Sequence, residues 1–468
     1  MHFTTDKALW RAILLLFCLS LLSACALAEP PAEKEAAPEP LNPFSDVQVR
    51  FTGWNGFGTI DSIDTSACDP IVLENVTIQP AEAYSGLTDG DVITLQAVCD
   101  EEKLLELGFA LSQDTCDVTV KDLWKIVRVW DTFHDDVTWL QVWFSPEETA
   151  DCIVDIDGNV LYKCDHEDIG TNFFNGVAQM DDRLIDKHGN TLWSKDDAIA
   201  YGDSLWGKGS TRDVFINMIY EDYDKRYYGY TSLYLTVDCF DFSGEAYGII
   251  DSQGNWLVEP VRDKYGYLNG RFGVFQPDSY SLYNVMTGEH ATFSETGEEY
   301  DAFYETYLKW VMHNEAIMEG GLTLRFESEY DHIPVTGFYD ENGALKFDLS
   351  AYDVDAYVNE GAFYNGYRSL KISNADGGAF YTIIDTEGNR VLYPIREWYH
   401  GPFTGEYFLR YNDDAQGNDD RYYFCDLQGE NPFGTMYYDA RDFMCGRAFV
   451  RQGEEYYHCI DLEGNTVF

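Results

Sequence analysis

Apolar and polar residues alternate along this chain in short runs, and almost every run ends at Gly, Asn or Asp. "VQVRFTGWNGFGTI" (Val47–Ile60) alternates, turns at Asn55-Gly56 and resumes. "LTDGDVITLQAVC" (Leu87–Cys99) enters through an Asp-Gly turn and continues as a strand, and "DTCDVTVKDL" (Asp114–Leu123) is a further strand. Alternation of period two bounded by turn residues predicts half-buried strands joined by tight turns. Two stretches have helical spacing instead. "EEKLLELGF" (Glu101–Phe109) predicts one or two helical turns stopped by Gly108. "DAFYETYLKWVMHNEAIM" (Asp301–Met318) sets Phe303/Tyr304, Tyr307/Leu308 and Val311/Met312 on one face, an amphipathic helix ended by Gly320-Gly321.

The last stretch, Tyr437–Phe468, is the clearest unit: an aromatic-led strand, a glycine step, two strands and a "DLEGN" turn. In such a turn Asp bonds the backbone two residues on, and Gly and Asn tolerate positive φ. A single hairpin is marginal in water, so the unit needs copies to stack on. Copies exist. Turn glycines recur at Gly158, Gly189, Gly254, Gly288, Gly343, Gly388, Gly429 and Gly464, with a base period of roughly 31–35 residues broken by insertions. A second mark, an aromatic followed by Gly and a strand, precedes several of them: "FFNGVA" (Phe173–Ala178), "YLNGRFGV" (Tyr267–Val274), "FYNGYRSL" (Phe363–Leu370) and "FMCGRAFV" (Phe443–Val450).

An aromatic-x-x-Gly step, an aromatic-Gly-x-Ile-Asp strand and then Asp-x-x-Gly-Asn resembles the WG (KWG) repeat of bacterial proteins. "YGIIDSQGNWLVEP" (Tyr247–Pro260) is the nearest copy. The name-giving Trp-Gly is replaced by Tyr247-Gly248, Thr336-Gly337, Tyr381-Thr382 and Tyr457-His458. The resemblance implies repeated β-hairpins and a partner-binding scaffold outside the cytoplasm, and it carries no catalytic residue. Residues 46–122 resemble a small β-sandwich module of exported Gram-positive proteins, through Phe51, Gly53, Asn55, Gly56 and Gly58 and through Asp89, Gly90 and Asp91. The expected fold is therefore all-β: a small β-sandwich-like module at 46–122, then at 123–468 a β-propeller-like array of WG-type repeats, or a β-solenoid, with a helical insertion at about 301–318.

The N-terminus changes the picture. Lys7 and Arg11 precede the apolar run Ala12–Leu22, and "LSAC" (Leu22–Cys25) resembles the lipobox of bacterial lipoproteins, in which Cys25 would carry lipid. Residues 1–25 then form the signal and 26–45, rich in Pro, Glu and Ala, a tether. The expected location is the outer face of the cell membrane; cleavage at "ALAE" (Ala26–Glu29) is the secreted alternative.

Aromatic residues make up 16% of the 468, which suits β-structure, and 82 acidic against 31 basic side chains leave a net charge of −51. That field repels nucleic acid, whose recognition needs Lys and Arg. Outside the signal the nine cysteines include Cys152 and Cys164, which flank the "DIDGN" turn, and Cys68, Cys99 and Cys116 in the first module; disulfides and buried free thiols are both open. No paired-His motif, nucleophile elbow or P-loop occurs, and no cofactor is expected. "DIDGN" (Asp155–Asn159) and "YDVDAY" (Tyr352–Tyr357) have the alternating oxygens that suit Ca²⁺, which turn chemistry also explains. "RYYGYTSLYL" (Arg226–Leu235) and "WYHGPF" (Trp398–Phe403) offer rings for sugar faces. The expected function is non-catalytic binding of an extracellular protein or glycan; a carbohydrate-active hydrolase using paired carboxylates is the alternative.

Overall fold

The computed structural model describes residues 37–164, 170–173 and 176–209, the strands between 213 and 412 with a few flanking residues, and 421–468 apart from 454–455. Cys25, the expected helix at 301–318, "YDVDAY", the side chains of the two aromatic stretches, and Gly254, Gly288 and Gly343 lie outside them. The chain is mostly β, in several small and mainly antiparallel sheets with few helices. It forms two compact units, one containing 37–52 and Gly58–Lys121, the other Gly53–Phe57 and Asp122–Phe468.

In the first unit β1 (Glu39–Leu41), β2 (Gln48–Thr52) and β3 (Thr59–Asp64) are followed by α1 (Pro70–Asn75). Then come β4 (Val76–Pro80), β5 (Val92–Cys99), α2 (Glu101–Glu106), β6 (Phe109–Leu111) and β7 (Thr115–Thr119). β2 and β3 form the hairpin that the alternation predicts, and β5 lies between β4 and β7. Period two is visible in β5, where Ile93 and Leu95 are fully buried while Val92 and Val98 are exposed. α2 starts on the Asp100 side chain, which accepts from Lys103 N (3.2 Å), and gives way to Gly108 at φ +87°. α1 was not anticipated, although "DP" at its start is legible: the Asp69 carboxylate accepts from Ile71 N (2.8 Å) and Pro70 occupies the first turn.

The second unit opens with the antiparallel sheet β8 (Lys125–Val129), β9 (Val137–Ser145), β10 (Glu148–Asp155) and β11 (Val160–Cys164). β12 (Val177–Met180), β13 (Arg183–Asp186) and β14 (Thr191–Ser194) follow as a second sheet. The helix α3 (Lys195–Trp206) comes next, inside the long interval between Gly189 and Gly254. The sequence reading missed it, yet its start is a complete capping box between Ser194 and Asp197. The last sheet joins Asp439–Ala440, Ala448–Arg451 and His458–Ile460.

Every described Asp-x-x-Gly turn has one geometry. Asp155, Asp186, Asp385, Asp426 and Asp461 each accept from the i+2 and i+4 backbone N–H groups on one carboxylate oxygen, at 2.7–3.0 Å. Where i+4 is Asn, its amide donates to the other oxygen, as Asn159 does to Asp155 (2.9 Å). The calcium-like "DIDGN" is thus a closed turn whose carboxylate is spent on its own backbone. The glycine sits at φ between +74° and +84° in Gly158, Gly189, Gly388, Gly429 and Gly464. The flanking strands share a one-residue register shift, at Ile153/Val154, Leu184/Ile185, Ile249/Ile250 and Phe338/Tyr339.

The second mark is also a turn. In the last repeat Met444 and Arg447 exchange two backbone hydrogen bonds (2.9 and 3.0 Å) across Cys445 and Gly446, both at positive φ. His134 and Val137 do the same (2.8 and 3.1 Å) across Asp135 and Asp136. This is a first copy that sequence reading missed, because Asp136 (φ +64°) stands where later copies have Gly176 and Gly446. The aromatic three residues before is buried each time, as Phe133, Phe173 and Phe443.

Short strands this rich in aromatics are buried on both faces. β9 sends Leu140, Val142 and Phe144 into one cluster with Phe449, Cys459 and Phe468, and Val137 and Trp139 into another with Phe173, Met180 and Ile185. Likewise Leu409 and Phe424 pack on Phe443 and Val450, while Phe408 and Cys425 pack on Ile383. Cys152 and Cys164 fall on opposite faces of their hairpin, in different clusters, so the possible bridge between them is not made. Two of the turns receive an aromatic seven residues past the Asp of the previous copy: Tyr162 covers Gly189 and Phe433 covers Gly464. Phe468, the same position in the last copy, covers Gly158 of the first.

A Cβ on Gly158 would lie 2.8 Å from the Phe468 ring and 2.9 Å from Trp54 Nε1, whereas one on Gly429 meets nothing within 4 Å. Gly429→Ala should cost about 1–2 kcal/mol for its left-handed backbone, and Gly158→Ala about 1–3 kcal/mol more through overpacking. Urea denaturation of the two variants measures the difference. At the unrecognised turn Asp136→Gly should gain about 0.5–1 kcal/mol while Gly176→Ala loses about as much; thermal melts that give both the same sign contradict the shared geometry.

Candidate functional site

Within the second unit a cavity of about 440 Å³ opens where its first strands meet its last hairpin. Trp54, Asn55, Trp124 and Lys125 line it from the first side, and Gln452, Tyr456, Tyr457, His458 and Phe468 from the other.

Trp54 is the floor. Its Nε1–H donates to Gly158 O (2.7 Å), its ring lies 5.0 Å from Phe468, and Trp124 meets it edge-on at 5.6 Å. The backbone holds the pair in place, with Trp124 N donating to Gly53 O (2.9 Å) and Asn55 N to Trp124 O (3.0 Å). Gly53 and Gly56, on either side of Trp54 and Asn55, both have positive φ (+93° and +98°). Trp124 is braced in turn by Phe144, at 5.2 Å. The Lys125 ammonium lies 4.7 Å from the centre of the Trp143 ring and 5.2 Å from that of Tyr456, within cation–π range of both.

On the other side Tyr457 N donates to Ile126 O (3.1 Å), and the Tyr457 hydroxyl donates to Asp439. Arg441 also holds Asp439, at 2.7 Å. Burial, and then the Asp439 carboxylate, raise the Tyr457 pKa, so the phenol remains a donor. Burial lowers the His458 pKa from its ordinary 6.5. Tyr457-His458 is the pair that stands where the repeat pattern has an aromatic and Gly. That departure was the signal in the sequence; Trp124, Lys125 and Tyr456 carried none.

Among the described residues the turn glycines form no common site. They are backbone positions, and Gly158 touches the cavity wall through its carbonyl bond to Trp54. In the described turns for which a shift is resolved, Asp186 and Asp461, partial burial works to raise the carboxyl but the turn hydrogen bonds outweigh it and hold the pKa below 3.8. Burial pushes the Cys152 thiol up to about 12, far from a reactive thiolate. Among the described residues no group of His, Cys, Asp or Glu is placed to hold a metal ion, and no helix is long and apolar enough to cross a membrane. Rings, an ammonium and side-chain amides make this cavity suited to recognition by stacking and hydrogen bonding.

No protein-family model matches the chain, and no curated protein matches its sequence.

His458 binds a proton less readily folded than unfolded, so its contribution to stability is intact above 6.5 and is lost as pH falls towards the lowered value. Between about pH 8 and about pH 5 the wild type should therefore lose more melting temperature than His458→Gln, the two running parallel above the ordinary His pKa. Identical slopes across that range would contradict the burial.

Proposed function

We propose that this is an exported binding protein, tethered to the outer face of the membrane by lipid on Cys25. Its WG-type repeats close into a propeller-like ring and recognise a glycan in the cavity beside Trp124. The observation that carries the ligand class is the cavity wall itself: Trp124 and Tyr456 offer ring faces for the C–H face of a sugar, and Asn55 and Gln452 bring amides to the same space. None of the described residues lining it is Asp or Glu, which favours recognition over cleavage by paired carboxylates. The ring reading is supported by the order of packing. The first sheet has the second on one face and the last on the other, and Phe468 covers Gly158 as Tyr162 covers Gly189. A solenoid leaves its first and last repeats apart.

The full chain, expressed in a lipoprotein-competent bacterium, should partition with membranes and gain the mass of lipid, while Cys25→Ser is released. The released protein should bind soluble oligosaccharides in a glycan array, and Trp124→Ala should weaken that binding about tenfold, or 1.4 kcal/mol. Release of the wild type without lipid defeats the anchor. A wild type that binds no glycan, or a Trp124→Ala variant that binds equally well, defeats the ligand.

A further inference from the structure

The cavity is divided between parts of the chain that are far apart in sequence. Trp54, Trp124 and Lys125 belong to one flank, Tyr456 and His458 to the other, and no covalent or continuous strand connection joins the flanks there. Among the described residues the flanks are joined by the buried cluster that holds Leu140, Val142, Phe449 and Phe468, by the Trp54–Phe468 and Lys125–Tyr456 contacts, and by a few polar bonds. Tyr457 N donates to Ile126 O (3.1 Å), Arg447 Nε to Ile156 O (3.0 Å), and the Cys445 thiol faces Phe133 O (3.9 Å). Arg447 also approaches Asp157 at 3.9 Å, and Phe133 stacks on Phe449 at 5.1 Å. Within the sheets, by contrast, neighbouring strands share ladders, as β9 and β10 do over the whole of β10. The seam is thus a place where described strands can part with the loss of few backbone hydrogen bonds, and parting it halves the cavity.

Resting on the glycan reading of the cavity, we infer that ligand binding and closure of the seam are one equilibrium. The site exists only with the seam closed, and an oligosaccharide spanning Trp124 and Tyr456 holds the first and last sheets together. A ligand that binds only the closed form must stabilise it, and anything that opens the seam must lower apparent affinity by the lost closed fraction. Arg447 is the lever that separates the two effects, because it bridges the seam without lining the cavity.

The test is amide hydrogen exchange on the Cys25→Ser full chain, wild type and Arg447→Ala, with and without the oligosaccharide that the array identifies as bound; Arg447→Lys is the milder variant if Ala does not fold. The Tyr457 amide crosses the seam to Ile126, while the Asn55 amide, bonded to Trp124 within one flank, serves as the reference. Arg447→Ala should speed Tyr457 about tenfold or more relative to Asn55, and the oligosaccharide should slow Tyr457. A Tyr457 amide that Arg447→Ala does not speed relative to Asn55, or that the bound oligosaccharide does not slow, overturns the inference. If no oligosaccharide binds, the glycan reading has failed and the ligand half falls with it. Faster Tyr457 exchange relative to Asn55 in Arg447→Ala would even then show the seam opening.

Discussion

Two-sided burial of short aromatic strands is the constraint on which the second unit depends. A sheet of three or four short strands cannot stand alone in water, and here both of its faces are apolar. β9 shows the consequence: Leu140 and Val142 need one neighbour and Val137 and Trp139 another. A linear stack of such sheets would leave an aromatic face bare at each end, at a cost of about 25 cal/mol for each Å² exposed. The first sheet meets that demand by taking the last sheet's Phe449, Cys459 and Phe468 against its outer face. The contact between the first and last sheets is thus the same kind of packing as that between the first and second.

The turns serve this packing. By holding its own i+2 and i+4 N–H groups, each Asp satisfies the backbone at the hairpin tip without help from outside. The left-handed glycine then presents a flat backbone surface on which the next ring can lie, as Phe433 lies on Gly464. Glycine is needed for φ at all five described turns, but for space only where a ring arrives. The acid in these motifs, which invites a reading as metal ligand, is structural. It also contributes to a net charge of −51.

The candidate cavity lies where the pattern departs from itself. Most repeat positions are occupied by groups that turn or pack, while the cavity collects exceptions: Trp54, from ahead of the first sheet, and Tyr457-His458, where the repeat would place an aromatic and a glycine. A His at that position brings an ionisable ring into half-burial, with its pKa displaced downward as a result. The repeated part supplies a frame, and the seam supplies surface that no single repeat has.

Local rules made much of this visible in the residues alone. Asp-x-x-Gly-Asn determined the turn at Asp155 and at Asp461 because all its hydrogen bonds close within five residues, and alternation determined which residues of β5 are buried. Gly108 ended α2 for the same kind of reason. Where a local signal is altered it hides the element, as Asp136 in a glycine's place hides the first aromatic-turn copy, while the intact cap of α3 lies inside a long interval without a turn mark. Tertiary structure alone decided that Cys152 and Cys164 face different neighbours, that Trp54 lies on Gly158, and that Phe468 meets the first sheet. Those contacts join residues up to hundreds of positions apart, and short-range periodicity says which face of a strand is apolar but not which other face will cover it.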